Sequence, residues 1–157
     1  MLETNLALEL GVFIEDALKD LRLPTKKEGV LRPPKVFDGY LPPKRSLRGK
    51  DEENDDFPFV VVRVDDGISE RGMTTATVSL IVGCYTTETD GYAHCLEVVQ
   101  RIRLALCQLE NHTLNKRFQL VFPIEWNNVP EQPYPQWQLE MTTKWAFSTP
   151  ELSNCTC

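Results

Sequence analysis

The sequence has no apolar run approaching the ~20 residues that a membrane-spanning helix needs. Its opening residues, MLETNLALEL, carry acids where a secretion signal needs bases, so no signal peptide is expected. Histidine is scarce, with His94 and His112 the only two. Glycines do not cluster. Gly72, Gly83 and Gly91 stand isolated, so neither the P-loop nor the dinucleotide pattern occurs. No serine lies in a nucleophile-elbow setting. Cationic excess is also missing: 17 Lys and Arg face 23 Asp and Glu, for a net charge of −6. That argues against broad duplex binding, where Lys and Arg neutralise phosphates. The five cysteines are Cys84, Cys95, Cys107, Cys155 and Cys157. Their odd count and irregular spacing do not make a disulfide framework, and a reducing cytoplasm is the expected compartment.

What is present reads as one globular domain. A length of 157 residues suits a single core, and the 41% hydrophobic fraction is enough to fill one. The stretch Asp90 to Leu109 organises the chain. Tyr92, Leu96, Val99, Ile102, Leu106 and Leu109 recur at spacings of three and four, which predicts an amphipathic helix with Asp90 as its cap. Glu97 and Arg101 form an i, i+4 pair in the favoured order. One apolar stripe needs one apolar surface, and strands on both sides of the helix in sequence supply it.

An N-terminal helical segment is expected over residues 1–23. Within Thr4 to Leu21 the buried face is Leu6, Leu10, Phe13, Ile14, Ala17 and Leu21, Glu15 pairs with Lys19, and Pro24 ends the helix. Prolines 24, 33, 34, 42 and 43 then forbid a long helix. Val36, Phe37, Tyr40 and Leu41 make either a short edge strand or a hydrophobic patch. Residues 43–56 read as an exposed charged loop, basic at Lys44, Arg45, Arg48 and Lys50, then acidic at Asp51, Glu52, Glu53, Asp55 and Asp56. The alternatives are a solvated connection and an arm that orders against a neighbouring subunit or partner. These nine charged residues are the candidate contact site.

Strands are predicted at Phe57 to Asp65, Met73 to Thr86, Arg117 to Phe122 and Trp137 to Phe147. The first contains a run of apolar residues, which implies burial on both faces. Asp66-Gly67 and Arg71-Gly72 suit a long hairpin, and Gly83 marks a candidate bulge. Pro123 stops the third strand, and Trp126 to Gln136 reads as a loop. In the fourth, Trp137, Leu139, Met141, Thr143, Trp145 and Phe147 share one face, and Gln138, Glu140, Thr142 and Lys144 share the other. Residues 148–157 read as a flexible tail. The expected fold is α+β: a mostly antiparallel sheet of four to five strands with two main helices on one face.

Catalytic chemistry is not visible. His94 and Cys95 are helix neighbours that point apart, so they do not share a metal easily, and Cys155 with Cys157 is half a site at most. No acid pair stands out as an acid–base couple. Stacking of nucleobases is one reading of Trp126, Tyr134, Trp137 and Trp145, but the acidic balance and core-face spacing favour packing. No cofactor, metal ligand or catalytic residue is assigned.

Three stretches together resemble a known family. They are FPFVVVRVDDG (Phe57 to Gly67), VSLIVGCYTTETDGYAHCLEVVQRIRLAL (Val78 to Leu106) and EQPYPQWQLEMTTKW (Glu131 to Trp145). In order and spacing they resemble the tail terminator, or tail completion, proteins of long-tailed bacteriophages and prophages. The resemblance covers residues 57 to 147, with weaker support from the N-terminal helix and Gly39-Tyr40-Leu41-Pro42. It implies a structural, non-enzymatic protein with an α/β sandwich fold. Such proteins form a ring, typically of six subunits, at the head-proximal end of the tail tube. The implied partners are further copies of the chain, the tail tube protein and the head-side connector. DNA passes through the ring without sequence-specific binding, and no membrane is involved. The implied location is the bacterial cytoplasm during assembly and then the virion neck. Another head–tail joining component is the near alternative. A small ligand-binding or enzymatic domain is the reading from a different class, and it would need a concave site with perturbed titratable groups.

Overall fold

The computed structural model describes residues 2–41, 56–128 and 134–148. The chain opens with α1, Leu2–Leu18. Leu6, Ala7, Leu10, Ile14 and Leu18 are its buried residues, a stripe at helical spacing. Phe13 and Ala17 are only half-buried, so the stripe is rotated from the expected one. The helix ends before Pro24: Leu21 N–H bonds the Leu18 carbonyl at 3.0 Å, and the Arg22 guanidinium donates to the Lys19 carbonyl at 2.8 Å. Lys19 reaches Asp16 at 3.2 Å rather than the expected Glu15, because the last turn has already loosened.

Two short strands follow, β1 (Leu23–Pro24) and β2 (Leu31–Arg32), paired as a small antiparallel ribbon. The main sheet is built from β3 (Lys35–Asp38), β4 (Phe59–Glu70), β5 (Met73–Tyr85), β6 (Thr113–Leu114), β7 (Phe118–Asn128) and β8 (Gln136–Ser148). Helix α2, Gly91–Cys107, lies between β5 and β6 in sequence. The strand order is β3-β4-β5-β8-β7-β6. Among the described residues the sheet therefore has six strands, not four to five. The additional members are the short edges β3 and β6, which pairing with a longer neighbour defines better than any periodicity of their own. All ladders in it are antiparallel except β3 with β4, which is parallel.

Two strands run further than expected. β4 passes through Asp65-Asp66-Gly67 to Glu70 and turns at Arg71-Gly72, where Gly72 has a φ of +82°. The register shifts between Val64 and Asp66, so the bulge is there and not at Gly83. β7 passes through Pro123 to Asn128, which places Trp126 in a strand and not in a loop. The ladder with β8 is broken between Val121 and Glu125, and the proline, which has no N–H to give, sits inside that break.

Both helices pack on one face of the sheet. Their buried residues join Val60, Val62, Val78, Leu80, Val82, Leu139, Met141 and Trp145 in one core. α1 packs over β3 and β4, and α2 packs over β5 and β8. The stripe of α2 is Gly91, Cys95, Val98, Val99, Ile102 and Leu106, while Tyr92 is exposed. Asp90 occupies the N-cap position but its side chain makes no cap bond; its carboxylate lies 3.5 Å from His94 Nε2 instead. Glu97 and Arg101 do approach, at 3.7 Å. On the opposite face, Phe57, Phe59 and Val61 form a smaller cluster with Phe37, Leu41, Ile81 and Tyr85. That second cluster explains why β4 is buried on both sides.

Candidate functional site

Eight of the nine candidate contact residues, Lys44, Arg45, Arg48, Lys50, Asp51, Glu52, Glu53 and Asp55, lie outside the described residues. So do Cys155, Cys157 and nearly all of the expected tail. Asp56 is described and is half-buried beside the cluster of Phe57.

The face of the sheet opposite the helices carries a row of polar side chains. Register partners share a face in an antiparallel ladder. Arg63, Ser79, Thr142 and Glu125 therefore form one row across β4, β5, β8 and β7. Ile81, Glu140 and Asn127 continue the next row, and Thr77 and Lys144 the one on the other side. Asp65 joins this face through the bulge, where its carboxylate accepts from Ser79 Oγ. Arg63 is held in place by its Nε donating to the Gly39 carbonyl at 2.9 Å and by stacking on Tyr40 at 4.6 Å. Beside the apolar cluster of Phe59, Val61 and Ile81, this face carries the carboxylates of Asp65, Glu125 and Glu140 against the bases Arg63 and Lys144.

The two margins of the sheet differ. At the β3 margin, Leu8 and Val12 of α1 are 52% and 69% exposed and line a shallow groove of about 150 Å³ with Gly11, Val36 and Phe37. At the β7 margin, Phe122 and Trp126 are 49% and 41% exposed. Sequence reasoning missed both strips. Leu8 and Val12 are spaced by four on the outer side of α1, a signal available in the sequence but masked by the stronger stripe of Leu6, Leu10 and Ile14.

Two glycines of the motif stretches are fixed by aromatic rings. A Cβ on Gly83 would overlap the Phe59 ring, and one on Gly91 would overlap the Trp137 indole. Trp137 is itself anchored, its Nε1 donating to the Thr86 carbonyl at 3.2 Å. Trp145 is fully buried and Trp137 half-buried, in line with packing. Trp126 and Tyr134 are exposed.

Among the described residues, reactive side chains do not converge. Cys84 and Cys95 are both buried free thiols, and Cys95 Sγ lies 3.4 Å from the Trp137 carbonyl. A hydrogen bond with Cys95, then burial, pushes the Cys84 thiol well above its ordinary value. Such a thiol is held protonated and is a poor nucleophile. His94 faces Asp90, and His112 lies edge-on to Phe122 at 5.0 Å. Among the described residues, no group of three or more His, Cys, Asp and Glu could hold a metal ion. An open depression of about 500 Å³ near the β1–β2 turn is lined by Lys26, Lys27, Glu28, Glu88 and His94, with charges of both signs. Among the described residues no helix is long and apolar enough to cross a membrane. No protein-family model matches the chain, and no curated protein matches it.

Proposed function

We propose that this chain is a tail terminator of a long-tailed phage or prophage. In this reading it is a non-enzymatic structural protein that forms a ring, hexameric by resemblance, at the head-proximal end of the tail tube. It stops tube polymerisation and joins the tail to the head-side connector. Its partners are further copies of itself, the tube protein and the connector, without cofactor or membrane. It works in the host bacterial cytoplasm during assembly and stays in the virion neck.

The observation that carries the reading is the contiguity of the three motif stretches. Their described residues fall chiefly on β4, on β5 with α2, and on β8, and these strands are neighbours in the order β4-β5-β8. Their motif residues interlock, with Phe59 against Gly83 and Trp137 against Gly91. Motif residues scattered over unconnected elements would give no reason to take them together. The open polar face adds physical support. Asp65, Glu125 and Glu140 on it, against Arg63 and Lys144, suit a channel wall past which DNA slides, since like charges do not hold phosphates.

The test is tube assembly. Purified chain is added to polymerising tail-tube protein, and tube lengths and ends are scored by electron microscopy and co-sedimentation. The expected result is shorter tubes, each with a ring on one end, and substoichiometric co-sedimentation. Tubes of unchanged length with bare ends overturn the proposal. Binding to head connectors without binding to tubes moves the chain to another neck component.

A further inference from the structure

Two thiols are buried together where β5 ends and α2 begins. Cys84 and Cys95 are each 1% exposed, and both belong to the core on the helical side of the sheet. One backbone carbonyl, that of Trp137, brings them to the same place. Thr86 N–H bonds the Pro135 carbonyl at 3.0 Å, in continuation of the register that pairs Tyr85 with Gln136. That pair is therefore of the hydrogen-bonding kind, and in an antiparallel ladder every second pair is of that kind. Cys84 with Trp137 is the next one, so the Cys84 N–H is aimed at the Trp137 carbonyl. Cys95 Sγ donates to the same carbonyl at 3.4 Å. The two cysteines thus share one acceptor, and the Cys84 thiol hydrogen-bonds to Cys95.

The surroundings allow a small reagent to approach. The open depression of about 500 Å³ by the β1–β2 turn is lined by Tyr85 and His94, the chain neighbours of Cys84 and Cys95. The start of α2 also lacks a side-chain cap, because the Asp90 carboxylate bonds none of its N–H groups. A missing cap lowers the cost of opening that turn.

From this we infer that Cys84 and Cys95 are a dithiol that a hydroperoxide converts to an intrachain disulfide, stapling the end of β5 to the start of α2. The site does not depend on the ring reading. Cys84 holds its proton tightly, so Cys95 is the sulfur that meets the oxidant. Cys95 takes one oxygen as the O–O bond breaks, which gives a sulfenic acid and one water. The Cys84 sulfur then displaces the sulfenic hydroxyl. Its proton leaves with that hydroxyl as a second water, and the S–S bond forms. The two thiols lose two electrons and the peroxide gains them. A small thiol such as glutathione reverses the bond by two exchanges, so the pair stays open wherever thiols are kept reduced.

The experiment uses the full chain with Cys107→Ser, Cys155→Ser and Cys157→Ser, which leaves Cys84 and Cys95 as its only cysteines. Folded protein is treated with hydrogen peroxide, quenched, unfolded in urea with iodoacetamide, and read as intact mass and as peptides. Wild type is carried alongside. The expected product has lost two hydrogens, takes up no iodoacetamide and yields a peptide joining Cys84 to Cys95. Dithiothreitol should restore both alkylations. The oxidised form should unfold at higher urea than the reduced form, because closing residues 85–94 into a loop restricts the unfolded chain. Cys84→Ala in the same background should show no such rise and should leave a Cys95 sulfenic acid that dimedone traps. Two alkylated cysteines after peroxide treatment overturn the proposal, as do separate sulfinic acids or links between chains without the internal one. A link that forms only in urea overturns it too, since the fold would then hold the sulfurs apart. An oxidised form that unfolds at lower urea overturns the staple, because the bond would then strain the core.

Discussion

Phe59 and Gly83 are register partners on adjacent strands, and the phenylalanine ring occupies the space where a Cβ of residue 83 would stand. Phe59 is 1% exposed and is wedged by Phe57, whose ring centroid is 5.0 Å away. It has nowhere to move. Gly83→Ala is therefore expected to destabilise the fold by about 1–3 kcal/mol through overpacking. Urea unfolding reads it. Pairing the change with Phe59→Leu should recover part of the loss, and strict additivity of the two changes would remove the steric explanation.

Gly91 poses a conflict between two effects. Replacing a helical glycine by alanine gains up to about 1 kcal/mol of propensity. Here the new methyl meets the Trp137 indole, which its bond to the Thr86 carbonyl holds in place. The steric term wins, and Gly91→Ala should cost about 1–3 kcal/mol net. Tryptophan fluorescence of the variant should shift as Trp137 is displaced. An equally stable or more stable variant would show that the indole gives way freely.

Thr143 is fully buried in the middle of β8 and links two strands through its hydroxyl. It donates to the Val78 carbonyl at 3.1 Å and accepts from Trp145 Nε1 at 2.9 Å. Thr143→Val keeps the shape and removes the hydroxyl, leaving a buried indole N–H without its acceptor. The expected cost is about 1–3 kcal/mol, the desolvation penalty of an unsatisfied donor. Thr143→Ser keeps the hydroxyl and should lose less than the valine variant. A reversed order would mean that packing, not hydrogen bonding, sets the residue.

The central elements were legible because their signals are periodic. Alternation from Trp137 to Phe147 gives the core face of β8 correctly, and the apolar run after Phe57 gives burial on both faces. Elements without a period of their own were not. The sequence of β3 fits a strand and a patch equally, because four residues become a strand only when Val36 and Phe37 pair with β4. Pro123 misled for a physical reason: a proline ends a strand when its N–H is needed, and in β7 the ladder is already broken there. Glycine permits a bulge and Gly83 is therefore its candidate in the sequence, yet the glycine serves a ring and the bulge falls at Asp65. The charged candidates from Lys44 to Asp55 gave a composition signal only. The α1 and β7 strips gave none strong enough to separate from the core pattern.

Alkaline pH should weaken the fold through Cys84. Its hydrogen bond with Cys95, with burial adding to it, holds the thiol proton more tightly in the folded chain than in the unfolded one. An unfolded thiol titrates near about 8.5. Below that value the contribution to stability is complete. Above it the unfolded chain binds fewer protons than the folded one, and stability falls as pH rises. The slope for one such group is at most about 1.4 kcal/mol per pH unit. Urea unfolding from pH 7 to pH 10 measures it, with Cys84→Ala as the reference. The variant should show a shallower decline, and identical slopes would exclude Cys84 as the source.

The open face of the sheet makes a charge prediction. Glu125 and Glu140 lie there on neighbouring strands with Lys144, and Arg63 completes the row of Glu125. Wild-type chain should hold duplex DNA weakly at physiological salt, because the carboxylates oppose phosphate contact. Glu125→Lys with Glu140→Lys reverses both charges and leaves four cationic side chains on one patch, since Arg63 and Lys144 are already there. The double variant should bind duplex DNA with a steep dependence on salt, as fluorescence anisotropy across a salt series would show. Each phosphate neutralised contributes a slope of about −0.9 in log affinity against log salt, so several contacts per subunit would be countable. The same reversal on the helical side, at Glu15 and Asp16, serves as the control. If both pairs raise DNA binding equally, the open face has no special relation to DNA and net charge alone accounts for the effect. If only Glu125 and Glu140 do so, and tubes capped by that variant retard DNA passage, the open face is the wall that DNA meets.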